Sequence, residues 1–474
     1  MRRGSLVVLL TGQVMVSMDG SIVTVALPHI RTGLHASGAL LQLVTGGYIL
    51  AMAVLVVTGA RLGDLYGHRR VFRCGLAGFT AASLACGIAP DGPALVAARF
   101  AQGGSAALVL PQVLSLIQLG FSGPARARAL GLYSMVLALG VAIGQIAGGV
   151  IVSAAGWRPV FLLNVPVGAV LIAVGGSLPG GRERVRSRLD VPGVLILSTA
   201  MTALVVPLVF GREEGRPPWT WVCLAAGCAG LAVFAWHERR AASPLLDLGV
   251  LRAPGVAPGL FAACAVMGAY AGLIFALALH LQSGLGLSPL AAGLAFLPYT
   301  VGFATAGLSW PRLPAHGRLP VRGPLPVAGL LVFAVAAPLI AVAVRHGWSP
   351  LAIPLLVVAG AGHAAGFSPL VERLAATAGT ARASAVSALT NTGTLLANVL
   401  AIATLGGVYL GARTSAQGLT QVTVLLTALL GVAAAGAWRT VAASRPVSAA
   451  PDVTLTPGPG PRERRRTGSR ARTR

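Results

Sequence analysis

The chain has 474 residues, of which 55% are hydrophobic and only 10% are charged. An average soluble domain carries about 25% charged residues, so this composition excludes an ordinary soluble protein. The formal net charge is +24, which alone could indicate a nucleic-acid partner. The basic residues, all arginine, lie in short segments between apolar runs and in the C-terminal tail, and this distribution argues against nucleic acid.

Apolar runs near the ~20 residues that a spanning helix needs recur along the whole chain. They predict an all-α polytopic membrane protein with 14 transmembrane helices. The predicted spans are 5–27, 38–60, 71–89, 94–119, 129–153, 160–178, 190–210, 219–236, 256–281, 290–310, 325–344, 349–369, 383–410 and 420–442.

The arginines provide a test of this count. With a cytoplasmic N-terminus, 29 arginines fall in cytoplasmic segments or, as Arg73 and Arg439 do, at the cytoplasmic ends of spans; 6 fall in outer loops, and Arg99 lies deeper inside a span. Because cytoplasmic loops are enriched in basic residues, this asymmetry supports both the count and the orientation. The sequence therefore predicts a multi-pass protein of the cytoplasmic (inner) membrane with both termini in the cytoplasm.

Asp19 is the only charged residue in the first apolar stretch, Ser5 to Leu27. Charged groups within spans are rare and by default indicate an ion or proton pathway. At 1.5 Å per residue, Asp19 lies about 21 Å from the cytoplasmic start of its span, and Arg99 lies about 7 to 8 Å from the outer start of span four. In a hydrocarbon core of about 30 Å, both groups reach the same level.

Two interpretations of these residues remain open. A pair whose separation changes would alter the proton affinity of Asp19, because burial disfavours the carboxylate and a nearby arginine favours it. Asp19 and Arg99 would then form the proton-coupling site. In the alternative, they form a permanent buried ion pair with a structural role only.

The first cytoplasmic loop, residues 59–70, contains glycines that allow a tight turn and close helix approach. Together with an acid and an arginine pair, they could form a conformational lock at the cytoplasmic face. The residues of this predicted lock are Gly63, Asp64, Gly67, Arg69 and Arg70. The alternative is a short hairpin rich in positive-inside arginines.

This loop resembles the signature loop of the major facilitator superfamily. It departs from the usual form at Ala60, where a glycine is typical, and at His68, where Arg or Lys is typical. Residues 95–107, with Arg99 and Gln102, resemble the fourth-span motif of that family and its intramembrane arginine. In the second half, the equivalent loop is reduced to 312–318 and contains no acid.

The fifth span contains glycines at four-residue spacing, which lie on one helix face and let another backbone pack closely. It resembles the antiporter motif of the drug-exporting branches, although Gln145 replaces the usual proline. The motif glycines are Gly140, Gly144, Gly148 and Gly149. Residues 19–28 and 156–166 resemble markers of the fourteen-span drug:proton antiporter branch.

This resemblance implies two six-helix bundles, residues 1–180 and 246–443, joined by two additional transmembrane helices within 181–245. It also implies alternating access driven by protons, without a cofactor or a metal. Residues 444–474 form a predicted disordered cytoplasmic tail rich in Arg and Pro.

Further polar residues within the spans are candidates for lining a cavity, and each has an alternative role in packing or in helix–helix hydrogen bonds. The candidates are Gln102, Gln145, His280, Gln282, His363, Asn391 and Asn398. Apart from Arg439 near the cytoplasmic end of the last span, no predicted span in the second half carries Asp, Glu, Lys or Arg, so a cavity built from these helices would be largely apolar.

The leading hypothesis is therefore a proton-coupled exporter of hydrophobic or amphipathic drugs or antibiotics. Its partners would be the lipid bilayer, protons and a lipophilic small molecule. The nearest alternative is an exporter of one endogenous metabolite, such as a self-made antibiotic. A non-transporting membrane sensor would be expected to carry a soluble domain, and an enzyme would need longer loops and a catalytic motif, so we predict no catalytic residues.

Overall fold

The computed structural model describes residues 3–175, 190–211, 215, 217–310, 323–377 and 382–443. The loop 179–189, the reduced second-half loop at 312–318 and the tail 444–474 lie outside these ranges. The predictions for those segments therefore concern residues beyond the described part of the chain.

Within the described residues, the regular secondary structure is helical throughout. The helices are α1 (Arg3–Gly33), α2 (Gly38–Tyr66), α3 (His68–Gly87), α4 (Gly92–Gly120), α5 (Gly123–Ala155), α6 (Arg158–Leu162), α7 (Asn164–Val174), α8 (Val191–Phe210), α9 (Pro218–Glu238), α10 (Val256–Leu279), α11 (Pro289–Ala295), α12 (Leu297–Ser309), α13 (Leu325–Ala343), α14 (Ala352–Thr377), α15 (Ala383–Leu410) and α16 (Ser415–Ala443).

Every predicted span overlaps a helix or a pair of helices. Among the described residues, 11 helical segments are long and apolar enough to cross a membrane. The count of fourteen spans stays a prediction.

Two predicted spans are each divided into two helices. Span 160–178 corresponds to α6 and α7, and span 290–310 corresponds to α11 and α12. Pro166 and Pro298 lie just after the two breaks, and a proline has no backbone N–H to donate to the preceding helical turn. The first break brings Asn164, the first residue of α7, into the protein interior.

Side-chain caps fix where several helices begin. The Asp91 carboxylate accepts a hydrogen bond from the backbone N–H of Ala94 at 2.8 Å and starts α4. The Ser37 hydroxyl accepts one from the N–H of Leu40 and starts α2. Such caps satisfy donors that a helix terminus would otherwise leave free. The cap at Asp91 therefore sets the depth of Arg99, two turns further along α4.

The helices before Gly175 pack mainly on one another, through α1 on α5 and through α2 and α3 on α4. The helices from Val256 onward do the same, through α10 on α15 and α16, α12 on α14, and α13 on α14 and α16. These two sets are called the N-terminal helices and the C-terminal helices below. They meet where α2 contacts α15 and where α5 contacts α11, while α8 and α9 pack on each other.

Glycines allow the closest of these crossings. A Cβ added at Gly149 would lie 2.7 Å from the Cα of Leu290, and one at Gly302 would lie 2.8 Å from the carbonyl carbon of Val357. Small residues at such points let backbones approach, which strengthens dispersion contacts between helices.

Candidate functional site

Asp19 and Arg99 are in direct contact in the structure. Arg99 Nη1 donates to Asp19 Oδ2 at 2.5 Å, joining α4 to α1. Asp19 is 0% exposed and Arg99 is 1% exposed. The equal depth predicted from the sequence thus corresponds to a fully buried ion pair.

Two amide side chains complete the surroundings of the Asp19 carboxylate. Gln102 Nε2 and Asn164 Nδ2 each donate to Asp19 Oδ1 at 2.9 Å. Each amide also donates to Ser83 Oγ, at 3.0 and 2.9 Å, and Ser83 donates to the carbonyl of Phe161 at 3.0 Å. The Asp19 carboxylate therefore accepts hydrogen bonds from three side chains, those of Arg99, Gln102 and Asn164.

The guanidinium of Arg99 is held on several sides. Its Nε donates to the carbonyl of Val44 at 3.0 Å, and Nη1 also donates to Gln102 Oε1 at 2.7 Å. Its Cζ lies 4.2 Å from the centre of the Tyr48 ring and 5.7 Å from that of Phe161. The aromatic faces attract the cation, so the charge is stabilised without contact with water.

Sequence reasoning identified Asp19, Arg99 and Gln102 but assigned Gln102 to a cavity rather than to this cluster. It missed Ser83 and Asn164. Asn164 lies inside the 156–166 segment quoted as a family marker, so a signal was present there. Ser83 lies in α3 among alanines and a leucine and gives no signal in the sequence.

A cavity of about 250 Å³ adjoins this cluster and lies between the N-terminal and C-terminal helices. Tyr48 belongs to both, because its ring covers Arg99 and also lines the cavity. The N-terminal helices contribute Gln13, Val16, Ser17, Gly20, Ser21, Thr24, Thr45, Tyr48, Ile49, Met52, Leu110 and Gln145. The C-terminal helices contribute Tyr270, Ala271, Ile274, Phe275, Leu395, Asn398 and Ile402.

The cavity has a polar and an apolar wall. One face of α1 presents polar side chains to the cavity at helical spacing, namely Gln13, Ser17, Ser21 and Thr24. Asp19 belongs to the same helix but points from a different face. Six of the seven residues from the C-terminal helices are aliphatic or aromatic. None of the described lining residues carries a formal charge.

The structure distributes the proposed cavity residues over several places. Gln145 and Asn398 line the cavity. Gln102 does not, since it bonds Asp19 and Ser83. Asn391 does not either, because it lies on an exposed part of α15, seven residues before Asn398.

The remaining three candidates are also outside the lining. His280 Nε2 contacts the carbonyl of Val344 at 3.0 Å and belongs to the packing of the C-terminal helices. Gln282 Nε2 donates to the carbonyl of Val25 at 3.0 Å and thereby joins the two sets of helices. His363 stacks behind the cavity wall on the ring of Tyr270. The spacing of polar residues could not separate these positions, because it does not show which neighbour each helix face meets.

The glycines of the fifth span pack on two different helices. A Cβ at Gly140 would lie 2.7 Å from the Cβ of Ser17, and one at Gly148 would lie 3.0 Å from the carbonyl oxygen of Ile22, both on α1. Gly144 also packs on α1. Gly149, one residue further, packs on α11 of the C-terminal helices. The adjacent glycines therefore serve a contact within one set of helices and a contact between the sets.

The signature loop forms a network in which His68 is central. His68 Nδ1 contacts Gln112 Oε1 at 2.7 Å, and Gln112 Nε2 donates to the carbonyl of Gly59 at 2.7 Å. Asp64 lies 3.6 Å from His68 Nε2. Gly67 has φ of +94°, a conformation that favours glycine. His68, one of the two residues at which this loop departs from the usual family form, thus ties the loop to α4.

Of the other predicted lock residues, Gly63 packs against Gln112 and His68. Arg69 is half-buried and Arg70 is exposed. An arginine outside the prediction makes a longer-range connection: Arg61 Nη1 donates to the carbonyl of Ser243 at 2.9 Å, and Nη2 donates to that of Pro244. Arg61 therefore fastens the end of α2 to the segment that leads into α10.

A family model described as Major Facilitator Superfamily matches residues 9–402. The chain belongs to this superfamily. The resemblance found in the sequence motifs is confirmed, and the protein is a multi-pass membrane protein of the transporter class.

Two relatives illustrate the functions of similar members. The chain is 42% identical over 309 residues to a probable actinorhodin transporter of Streptomyces coelicolor, which covers 63% of this chain and 54% of the relative. It is 35% identical over 297 residues to the multidrug resistance protein Stp of Mycobacterium tuberculosis, and this match covers 62% of this chain and 55% of the relative. The matches thus span little more than half the length of these relatives.

Among solved structures, the crystal structure of the peptide transporter POT in complex with sulfate superposes with a TM-score of 0.69 at 15% identity. The alignment covers 91% of this chain and 93% of the other. At this identity the likeness establishes the all-helical fold of the superfamily.

Proposed function

We propose that this member of the superfamily is a proton-coupled exporter of hydrophobic or amphipathic drugs or antibiotics. The observation that carries the proposal is the uncharged cavity between the two sets of helices, next to the buried Asp19–Arg99 pair and separated from it by Tyr48. Export and resistance proteins among the relatives support the substrate class.

In the proposed cycle, Asp19 takes up a proton when the transporter faces outward. The neutral carboxyl no longer matches the donors from Arg99, Gln102 and Asn164, so the contact between α1 and α4 weakens. Because Tyr48 lies on Arg99 and also lines the cavity, a shift of the guanidinium changes the shape of the binding site. Release of the proton to the cytoplasm restores the pair.

We further propose fourteen spans, arranged as bundles 1–180 and 246–443 with two linking helices within 181–245, and both termini in the cytoplasm. In this orientation, two contacts between the sets of helices lie on the outer side of the cavity. They are the hydrogen bond from Gln282 to Val25 and the close packing of Gly149 on Leu290. These contacts close the cavity on that side.

A second candidate is the export of one endogenous compound. The relative named for actinorhodin transport favours it, since that name refers to a single product. The two candidates share the same site and mechanism and differ only in the breadth of substrates.

The experiment is a susceptibility panel in a bacterial strain that lacks its own drug pumps. Expression of the protein is expected to raise the inhibitory concentration of at least one lipophilic antibiotic, and Asp19→Asn is expected to abolish that protection. Asp247→Asn is the matched control, because Asp247 is exposed and outside the site, and an asparagine can still cap the turn at Gly249. Equal protection by Asp19→Asn at equal membrane expression would contradict proton coupling, and no protection against any compound would contradict drug export.

A further inference from the structure

The ring of Tyr270 forms part of the cavity wall and is supported from behind by two other rings. It stacks on His363 with a centroid distance of 5.1 Å and an interplanar angle of 28°, and on Tyr299 with 5.6 Å and 25°. The centroids of Tyr299 and His363 are only 6.1 Å apart. If they lay on opposite faces of Tyr270, their separation would approach the sum of the two stacking distances. Both rings therefore lie on the same side of Tyr270.

The supporting rings are themselves held in place. His363 Nδ1 contacts the Tyr299 hydroxyl at 2.8 Å, and Nε2 contacts Met267 Sδ at 3.3 Å, so both ring nitrogens have partners within the protein. The rings of Phe303 and Phe333 lie 4.8 and 5.8 Å from His363. Because these supports hold the ring of Tyr270 in place, Tyr270 loses little freedom when a ligand stacks on it.

The titratable groups around His363 are few in the described residues. Tyr270 of α10 and Tyr299 of α12 face it, whereas α13 and α14 present Phe333 and Phe367. The elements packed against the ring thus contribute aromatic surface and hydroxyl groups without a carboxylate. The cluster suits a neutral structural support for Tyr270 better than a proton site.

Polar side chains also line the cavity, most of them from the N-terminal helices. Among the residues that line the cavity, Gln13 Oε1, Thr45 Oγ1, Gln145 Oε1 and Asn398 Oδ1 are buried and have no hydrogen-bond partner in the described part of the protein. Buried acceptors without partners are costly, so a ligand that donates hydrogen bonds to them is favoured. A carboxylate or phosphate on the ligand would find no basic side chain in the described lining.

We infer that the cavity binds a compact, flat aromatic molecule that carries hydroxyl or amino donors and no negative charge, with its ring stacked on Tyr270. This inference rests on the proposed export function and specifies its substrate class. The volume of about 250 Å³ excludes large macrocycles in the state described. Tyr270 is the residue that selects aromatic over saturated ring systems.

The test uses the purified full-length protein in lipid nanodiscs and three uncharged probes of similar size. Anthracene-2,6-diol has both the flat ring and the donors, anthracene lacks the donors, and perhydroanthracene-2,6-diol lacks the flat ring. The diol is expected to bind, as seen by its fluorescence. The saturated diol is expected to compete about 5- to 10-fold more weakly, because stacking on an aromatic side chain is lost.

Variants of Tyr270 locate the effect. Tyr270→Leu is expected to weaken binding of the aromatic diol about 10-fold and to reduce its advantage over the saturated diol, whereas Tyr270→Phe keeps the ring and should bind within about 3-fold of the unmodified protein. Tyr66→Leu is the matched control, because Tyr66 is 57% exposed and outside the cavity. Asn398→Ala should weaken the diol but leave anthracene unchanged.

Some outcomes would overturn the inference. These are equal binding of the aromatic and saturated diols, or unchanged affinity in Tyr270→Leu. If Tyr270→Leu does not yield folded protein, the comparison of the two diols on the unmodified protein still decides. Asp19-dependent resistance to other compounds, together with no binding of any anthracene probe, would overturn the aromatic specificity while leaving the export function intact.

Discussion

The ion pair of Asp19 and Arg99 allows a quantitative test by a double-mutant cycle. Asp19→Asn keeps the shape of the side chain but leaves Arg99, which is 1% exposed, with a buried charge that no carboxylate balances. Removing one partner of a buried ion pair costs about 3–5 kcal/mol of stability, whereas replacing both partners by neutral groups is often close to neutral. Arg99→Gln likewise removes one partner, and it leaves the buried Asp19 carboxylate without its cation.

The variant that combines both substitutions should therefore be more stable than either single variant. We expect an interaction free energy of about 3 kcal/mol or more between the two positions, near the upper end of the values that contacting residues show. Cys86 offers a convenient assay, because it is buried next to the cluster, 3.6 Å from Gln102 Oε1. Its reaction with a thiol-specific dye during denaturation reports unfolding, with the Cys86→Ala protein giving the background from the other cysteines.

Transport measurements on the same proteins separate stability from coupling. In vesicles with an imposed pH gradient, all three variants should lose proton-driven substrate movement, including the stable double variant. Additive destabilisation by the two substitutions would refute the strong pairing described above. Full proton-driven transport by a normally inserted Asp19→Asn protein would refute the coupling role and leave a structural ion pair.

Two further predictions concern neighbouring contacts. Gly293→Ala places a methyl group against the carbonyl of Gln145, so it should disfavour the sealed state and lower transport several-fold, while Gly307→Ala, with nothing within 4 Å of the added methyl, should transport normally. Asn164→Leu removes two hydrogen bonds, one to a charged carboxylate, and should destabilise the protein by about 1.5–3 kcal/mol in the same dye assay. Asn391→Leu is the control for Asn164→Leu, because Asn391 is exposed, and it should change stability by less than about 0.5 kcal/mol. Equal transport by the two glycine variants would contradict the first prediction, and equal destabilisation by the two asparagine variants would contradict the second.

Much of the fold and part of the site follow directly from the sequence. The apolar runs locate the helices, because backbone groups in a bilayer must be satisfied within the helix itself. Residue counting placed Asp19 and Arg99 at the same depth, because the rise per residue of a helix is constant. Four-residue spacing placed Gly140, Gly144 and Gly148 on one face for the same reason.

Only the tertiary structure decided what each helix face meets. It placed Gly148 against α1 and the adjacent Gly149 against α11, and it placed Gln145 in the cavity but Gln102 on Asp19. It also brought Ser83 into the ion-pair cluster, although nothing in its surrounding sequence distinguishes it. Helical periodicity fixes the direction of a side chain relative to its own axis, whereas its partner depends on the rotation and packing of every other helix. The sequence therefore determined the depth of the charges in this transporter, and the packing determined their partners and the shape of the cavity beside them.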